Sequence, residues 1–421
     1  MSTFLYGIDF GTTNSALSIF DEDKQEIIET ISIPSLIYFK HVTNISDPYP
    51  YVIGENAIAS YLEEGMKGRF IKSIKQILSR STFTETRIQN RRYTASDLVT
   101  LIIKDLKEKA DVITGVDCKK AVIGRPVFFD DESTQKDTLA QTRLKKAAEN
   151  AGFTDLRFQF EPIGAAFAYE KTIVNRERVL VADLGGGTTD FTYLILDPKK
   201  VGTKDRQQDM IASGGIYIGG DSLDSAFMWD RGTPYFGKGI QYEATPGKVL
   251  TVPMSLFANI CTWDKMNFFN GLRIKNDIED YYYYSNNNPK FKNLITLIDH
   301  NLGYSLFRSI EETKILLPSA NKAVFKYKNL DIKINEEISA DGYNGIISKD
   351  ILRIDEYLNR FMLENNFNAD DVDCLFLTGG TSMVQAVQDL FKTKFPNTSI
   401  NSGDNFKSVA KGLAYSGYLF D

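Results

Sequence analysis

Two stretches of the chain pair an aspartate with a turn of glycines and threonines. Val179–Leu196 (VLVADLGGGTTDFTYLIL) runs apolar through Ala182, presents Asp183, turns through Gly185, Gly186 and Gly187, and resumes an apolar course from Phe191 to Leu196. Three glycines leave their amides open to a bulky anion, and Thr188 and Thr189 add hydroxyl donors. Such a tip can cradle phosphates. Asp183 at the strand end can hold a hard divalent cation, which in company with phosphates keeps one or two carboxylates and several waters. An ordinary glycine-punctuated hairpin would use the same turn residues. Against that stands a second copy, Tyr6–Phe20 (YGIDFGTTNSALSIF), which repeats the order with Asp9, Gly11, Thr12, Thr13 and Asn14. Two such hairpins far apart in sequence predict a duplicated fold whose halves face each other across a cleft, each lending an aspartate to one metal–nucleotide complex.

The elements that must position these residues can be read in outline. Ile31–Phe39 (ISIPSLIYF) reads as a strand pair or edge strand broken at Pro34, followed by a polar loop near Asp47–Pro50. Gly68–Arg80 (GRFIKSIKQILSR) has apolar residues at helical spacing with Lys72 and Lys75 between them, and a solvated basic helix face is the plain alternative to a site lysine. Ser96–Ile113 is predicted as an amphipathic helix starting at a good cap. Lys120–Ile123 is a strand running into Gly124, Arg125 and Pro126, and Leu139–Ala151 is a helix ended by Gly152. Phe158–Phe160 delivers Glu161 to a helix with Pro162 in its first turn, whose small residues Gly164, Ala165 and Ala166 suit close packing at a hinge.

Ile216–Asp224 (IYIGGDSLD) places a further Gly219-Gly220 turn before a helix, and from there to about Leu317 the pattern is mostly helical with an irregular interior around Tyr281–Tyr284 and Asn286–Asn288. Four tyrosines could stack on bases, but with no basic groove beside them a packing patch is the better reading. Gly232–Gly239 (GTPYFGKG) comes within one residue of a P-loop, yet Gly239 replaces the hydroxyl residue and no strand precedes it. Ser309–Leu317 is predicted helical, Ala323–Ile334 extended and Ser348–Met362 helical. Val372–Leu377 is a buried strand leading through Thr378 to Gly379, Gly380 and Thr381, ahead of a helix from Met383 to about Lys394, a second place where helix amides could meet an anion or sugar. Ser408–Leu419 closes the chain as a helix of small residues.

Composition bounds the rest. With 421 residues and 43% hydrophobic content the chain is long enough to split into two lobes. A formal charge of −6 gives no basic surface for nucleic acid or an anionic membrane. Cys118, Cys261 and Cys374 are far apart and lack metal-ligand spacing, so a reducing cytoplasm fits, and two histidines exclude a zinc site built of several. No run approaches the ~20 apolar residues of a membrane span.

Taken together, IDFGTTN at Ile8–Asn14, EPIGAAFAY from Glu161, DLGGGTTD at Asp183–Asp190 and LTGGT at Leu377–Thr381 resemble the successive ATP-binding motifs of the actin-like ATPase superfamily. Within it the chain is most similar to the nucleotide-binding domain of DnaK-type heat-shock chaperones. GRPVFF at Gly124–Phe129, the insert around Trp263 and GDNFKSVAKGLA at Gly403–Ala414 resemble the YegD-type heat-shock-like proteins. The resemblance implies an α/β fold: a two-lobed actin-like ATPase, a duplicated ribonuclease-H-like fold with helical insertions. Lobe I would span residues 1–172, with an insertion at about 40–94 and the C-terminal helix 408–421 packed back on it. Lobe II would span 173–407, with a largely helical insertion at about 221–320.

The same resemblance implies ATP/ADP and Mg²⁺ as cofactors. Asp9 and Asp183 would organise the metal and its waters. Gly11, Thr12, Thr13, Asn14 and Gly185, Gly186, Gly187 and Thr188 would bind phosphates. Lys75 would stabilise charge at the γ-phosphate, with Lys72 one turn away as the competing placement, and Glu161 would help position the attacking water. Gly379, Gly380 and Thr381 would hold the ribose and α-phosphate, and Gly219 and Gly220 join the nucleotide-binding set. In the chaperones the adenine lies between two arginines; the matching positions here are Ile315 and Met383, while Glu311 and Lys314 remain at the ribose positions. The expected function is slow Mg-dependent ATP hydrolysis that gates an interaction with an unknown protein partner, by a cytoplasmic monomer binding neither nucleic acid nor membrane. The chain stops at Asp421, where the chaperones continue into a peptide-binding domain, so client peptides would not be held in the same way. A small-molecule kinase of the same superfamily and a non-catalytic nucleotide-gated scaffold or filament protein are the alternatives.

Overall fold

The two Asp-Gly-Thr hairpins each open a five-stranded sheet, and the two sheets have the same strand order. In the first, Phe4–Phe10 pairs antiparallel with Asn14–Asp21, which pairs antiparallel with Glu26–Pro34; on the other side of Phe4–Phe10 lie Lys120–Arg125 and Asp155–Phe160, both parallel to it. In the second, Glu177–Leu184 pairs antiparallel with Thr189–Leu196 and that strand with Met210–Ile216, while Cys374–Thr378 and Ser399–Ser402 run parallel on the opposite side. Asp9 sits opposite Ala16 and Asp183 opposite Asp190, each one residue from the end of its strand. The duplication is therefore one of topology as well as motif, and the chain has the mixed α/β architecture of the actin-like ATPase fold. The computed structural model describes residues 3–41, 50–64, 67–130, 133–201, 203, 206–262, 269, 271–318, 320–402 and 407–420; Trp263, Gly403–Phe406 and most of the Asp47–Pro50 loop lie outside them.

Both sheets belong to one compact unit formed by Met1–Tyr217, Glu356–Ser382 and Asp389–Asp421. Both faces of the centre of the first sheet are covered, which is why Phe4–Phe10 and Asn14–Asp21 are buried along nearly their whole length. Tyr6, Ile8 and Phe10 pack with Leu98, Ile102 and Leu106 of the Ala95–Thr114 helix, whereas Leu5 and Val122 face Val409 and Leu413 of the Ser408–Ala414 helix. The Glu161–Glu170 helix serves both sheets: Ala165 joins the Leu5 cluster, while Ile163 and Ala166 pack on Val179, Val181 and Phe376 of the second sheet.

Close backbone approach explains the small residues of these two helices. A Cβ on Gly412 would collide with the Gly164 carbonyl oxygen and stand 2.9 Å from the Gly164 Cα, and a Cβ on Gly7 would meet backbone atoms of Ala410 and Ala414. Backbone cannot step aside as a side-chain end can. Gly412→Ala is expected to cost about 1–3 kcal/mol, the usual cost of overpacking, read as a lowered urea midpoint. An unchanged midpoint would mean that the helices separate freely.

The second unit, Ile218–Asp355 with Met383–Gln388, has its own core, in which Phe227 of the Gly220–Phe227 helix packs edge-on against Phe325 at 5.2 Å and against Tyr343 at 6.0 Å. Its extended segment is a hairpin, Lys322–Asn329 with Ile332–Ser339. The helical region predicted before it also holds a short hairpin, Gln241–Thr245 with Lys248–Thr251. Tyr281–Tyr284 are not irregular but form the last turn of the Leu272–Tyr284 helix, and Tyr281 packs on Tyr242 at 5.0 Å and Phe291 at 6.2 Å. The irregular backbone comes just after, where Asn286 and Asn287 are left-handed. Gly232–Gly239 is a string of tight turns with Lys238 bonded to the Trp229 carbonyl, unlike a phosphate loop.

Other predictions shift. The Ala95–Thr114 helix is capped by Thr94, whose box partner is Asp97, whereas Ser96 lies inside it and donates to the Arg143 carbonyl at 3.0 Å. The Ala340–Glu364 helix starts two turns before Ser348. Ser408–Leu419 is a helix only to Ala414 and continues as a 3₁₀ turn. The largest correction is Gly68–Arg80. Arg69–Ile71 is a strand paired with Ile37–Phe39, Ser73 is left-handed at φ 55°, and only Ile74–Ile77 turns, as a single 3₁₀ turn. Its helix-like spacing puts Ile74 and Leu78 into the core instead of building a basic helix face.

Candidate functional site

The functional candidates of the first unit converge at matching ends of the two sheets. Asp9 and Asp183 occupy equivalent strand ends, and Glu161 is carried there as the first residue of its helix by the parallel strand Asp155–Phe160. Gly124 leaves room for it: a Cβ there would lie 3.0 Å from the Glu161 Cγ. The 3₁₀ turn brings in Lys75, whose Nζ donates to Glu161 Oε1 at 2.8 Å, both side chains being largely buried at 15% and 10% exposure.

Glu161 thus contacts the ammonium, and Asp9 and Asp183 act on it through their charges. Burial, reinforced by the charge of Glu161, pushes Asp9 up to about 8 against a partial pull from Lys75. Burial with the charges of Asp190 and Glu161 pushes Asp183 up to about 7. Burial opposes the charge of Lys75, but Glu161, Asp9 and Asp183 outweigh it and hold the ammonium above its ordinary range. The cluster has a net excess of negative charge, relieved either by protons or by an added cation.

Around it stand the two turn tips. A Cβ on Gly186 would collide with the Thr13 hydroxyl, so the tips of the two hairpins touch, and any larger residue there would have to displace the Thr13 side chain. Thr381 Oγ1 donates to the Gly185 carbonyl at 2.8 Å, and Thr188 Oγ1 to Asp190 Oδ2 at 2.8 Å. Gly379 is left-handed at φ +80°, and a Cβ there would collide with the Leu184 carbonyl and stand 2.7 Å from Asp183 Oδ1. The Gly-Gly segment is therefore seated against the second strand end. It does not open the following helix: Gly380–Met383 is a 3₁₀ turn, and the Gln385–Lys394 helix starts after it.

Glu311, Lys314, Ile315, Met383, Gly219 and Gly220 belong to the second unit. Lys314 Nζ donates to Asp224 Oδ1 at 2.7 Å. Ile315 and Met383 are exposed, at 66% and 54%. Gly219 caps and Gly220 begins the Gly220–Phe227 helix.

Two supports were invisible in the sequence. Ser35 braces the first tip: its hydroxyl donates to the Gly11 carbonyl at 2.8 Å and its amide to the Thr13 carbonyl at 2.7 Å. Arg143, on the Thr134–Asn150 helix, donates to the carbonyls of Ile77, Leu78, Arg80 and Phe83 at 2.7 to 3.2 Å, pinning the segment that follows Lys75. Partners 60 to 66 residues away leave no local signal.

Chemically the site is an all-oxygen donor set with one fixed cation and two threonine-bearing glycine tips, suited to a polyanion and a hard metal ion. Among the described residues no group of three or more His, Cys, Asp or Glu side chains forms a metal cage, and none of the helices is long and apolar enough to cross a membrane.

Comparison with known proteins agrees with this chemistry. Residues 51–228 match the family model of the Hsp70 protein. The chain is 33% identical over 231 residues to the chaperone protein DnaK of Thermosipho africanus and 34% identical over the same length to that of Thermotoga neapolitana. Each match covers 53% of this chain and 35% of the relative, so the chain spans about a third of the length of these relatives in the match. The duplicated sheets, the paired aspartates and the Hsp70 match together support a DnaK-type nucleotide-binding domain of the actin-like ATPase superfamily.

Proposed function

We propose that this protein binds ATP with Mg²⁺ and hydrolyses it slowly at the paired strand ends, in the manner of a DnaK-like protein of the YegD type. The observation that carries the reading is the Lys75–Glu161 pair, within electrostatic reach of Asp9 and Asp183, together with two touching hairpin tips rich in glycine and threonine. Asp9 and Asp183 suit Mg²⁺, which takes one or two carboxylates and fills its remaining positions with water and phosphate oxygens. Bound there, the ion would neutralise phosphate charge. Thr12, Thr13 and Thr188 would donate to phosphate oxygens. Lys75, held by Glu161, would face the charge that grows on the transferring group, and Glu161 would orient water for attack. Catalysis of phosphoryl transfer is mainly such positioning and electrostatic stabilisation. Single-turnover phosphate release with Mg²⁺ and with chelator tests the reading, and release that ignores the metal would defeat it. A metabolite panel separates hydrolysis from kinase activity.

The raised acids give a pH signature. Near neutrality the metal-free site holds protons on Asp9 and Asp183, and a cation favours the ionised form, so binding Mg-nucleotide must expel them. Uptake is expected to release on the order of one proton at pH 7, and affinity to rise between about pH 6 and 9. Calorimetry in two buffers of different ionisation enthalpy reads this; proton uptake would contradict the assignment.

The equivalent sheets span Phe4–Phe160 and Glu177–Ser402, which supports a lobe boundary near residues 172–173. Three free buried cysteines support a reducing, cytoplasmic setting. We read the protein as a monomer whose nucleotide state gates contact with a protein partner, on the strength of the chaperone likeness.

A further inference from the structure

We propose that Gln76 is a specificity-determining residue that reads the terminal phosphate of a nucleoside triphosphate; this rests on the ATP reading above. Gln76 follows Lys75 on the same 3₁₀ turn. Its neighbours Ile74 and Leu78 are buried in the core, while Gln76 itself is exposed. Its carboxamide nonetheless does not wander into solvent. A Cβ built on Gly187 would stand 2.5 Å from Gln76 Nε2 and 3.7 Å from its Cδ, with Thr12 Cγ2 at 3.9 Å. The amide head therefore lies against the third glycine of the second tip, at the point that Thr12 of the first tip also approaches.

The turn that holds it is fixed on both sides. The Gln76 amide donates to the Ser73 carbonyl at 3.1 Å, and the four Arg143 hydrogen bonds secure the chain from Ile77 to Phe83. Consecutive residues of one rigid turn thus serve the two halves of the site: Lys75 reaches Glu161, and Gln76 reaches the glycine tip. If Lys75 meets the outermost phosphate, its neighbour on the same turn meets that phosphate from the tip side. A carboxamide has two N–H donors and one acceptor and no charge. It can bond a phosphate oxygen without altering the charge balance of a site that already holds three carboxylates and a lysine.

The test compares two probes, ADP and a non-hydrolysable imido analogue of ATP, each with Mg²⁺, on the wild-type chain, Gln76→Ala and Gln76→Glu. Because the side chain is exposed, neither substitution disturbs the core. Gln76→Glu is expected to weaken the triphosphate analogue by about tenfold or more, since a lost bond to a charged group is joined by repulsion, while ADP changes by less than about twofold. Gln76→Ala should weaken the analogue by a smaller factor in the same direction. Equal weakening of both nucleotides by Gln76→Glu would overturn the inference, as would no change in either. Wild-type chain that binds neither nucleotide would overturn the ATP reading itself, whereas wild-type binding with unaltered discrimination in both variants defeats this inference alone.

Discussion

Lys75→Ala is expected to slow single-turnover ATP hydrolysis by about 10²- to 10³-fold, the loss that follows removal of one preorganised donor, while ATP affinity shifts by only about threefold. The asymmetry follows from where the ammonium sits. Its Nζ is already committed to Glu161 and lies in the field of Asp9 and Asp183, so ground-state phosphate gains little from it. Charge that develops during transfer gains more, and an interaction realised mainly in the transition state appears in the rate. Removing Lys75 also leaves Glu161 buried without its partner, so the variant should be measured beside Lys75→Arg, which keeps the charge. Asp183→Asn is the companion: it preserves the shape against which Gly379 is packed but takes a charge from the proposed metal site, and is expected to abolish hydrolysis and weaken Mg²⁺-dependent binding. Equal losses of rate and affinity for Lys75→Ala would make the residue a ground-state anchor. Unchanged turnover in Asp183→Asn would remove it from the site.

How legible this site was in the sequence depended on how local its causes are. The hairpin tips announce themselves because strand, acid and glycine turn are contiguous, and the steric demand at Gly379 is met by the residue written there. Glu161 was readable because its proline-marked helix start follows a strand directly. Lys75 was ambiguous for a physical reason. Ile74 and Leu78 stand four apart, as on an amphipathic helix, but here one 3₁₀ turn satisfies that spacing after a left-handed Ser73 and a strand. What holds the turn in place is Arg143, bonded to carbonyl groups whose own side chains carry no trace of it. Ser35 escapes notice in the same way, since its partners are the backbone of Gly11 and Thr13. The small hairpin at Gln241–Thr251 was missed because its outer strand, Lys248–Thr251, is exposed throughout and so shows no alternation of buried and exposed positions.

The proposed base-binding positions lead to the second large effect. In the chaperones this chain resembles, two arginines hold the adenine, and the resemblance would place Ile315 and Met383 at the matching positions. Both belong to the second unit, and both expose more than half of their surface, leaving apolar faces available to a flat ring. An arginine over a π-face contributes roughly 0.5–2 kcal/mol, and burying apolar surface of Ile and Met returns about 25 cal/mol per Å² of it. Two lost cation–π contacts, partly offset, amount to about 1.4–2.8 kcal/mol, or about ten- to a hundredfold in affinity. The proposed ribose positions would differ less: Glu311 and Lys314 would be kept there, with Lys314 anchored on Asp224. ATP is therefore expected to bind about ten- to a hundredfold more weakly than to the DnaK-type chaperones, and Ile315→Arg combined with Met383→Arg to recover much of that factor. Since both side chains are exposed, the double variant should keep the melting temperature of the parent. Calorimetric titration of parent and double variant decides the matter: nanomolar affinity in the parent, or no gain in the variant, would show that the base is held by other residues.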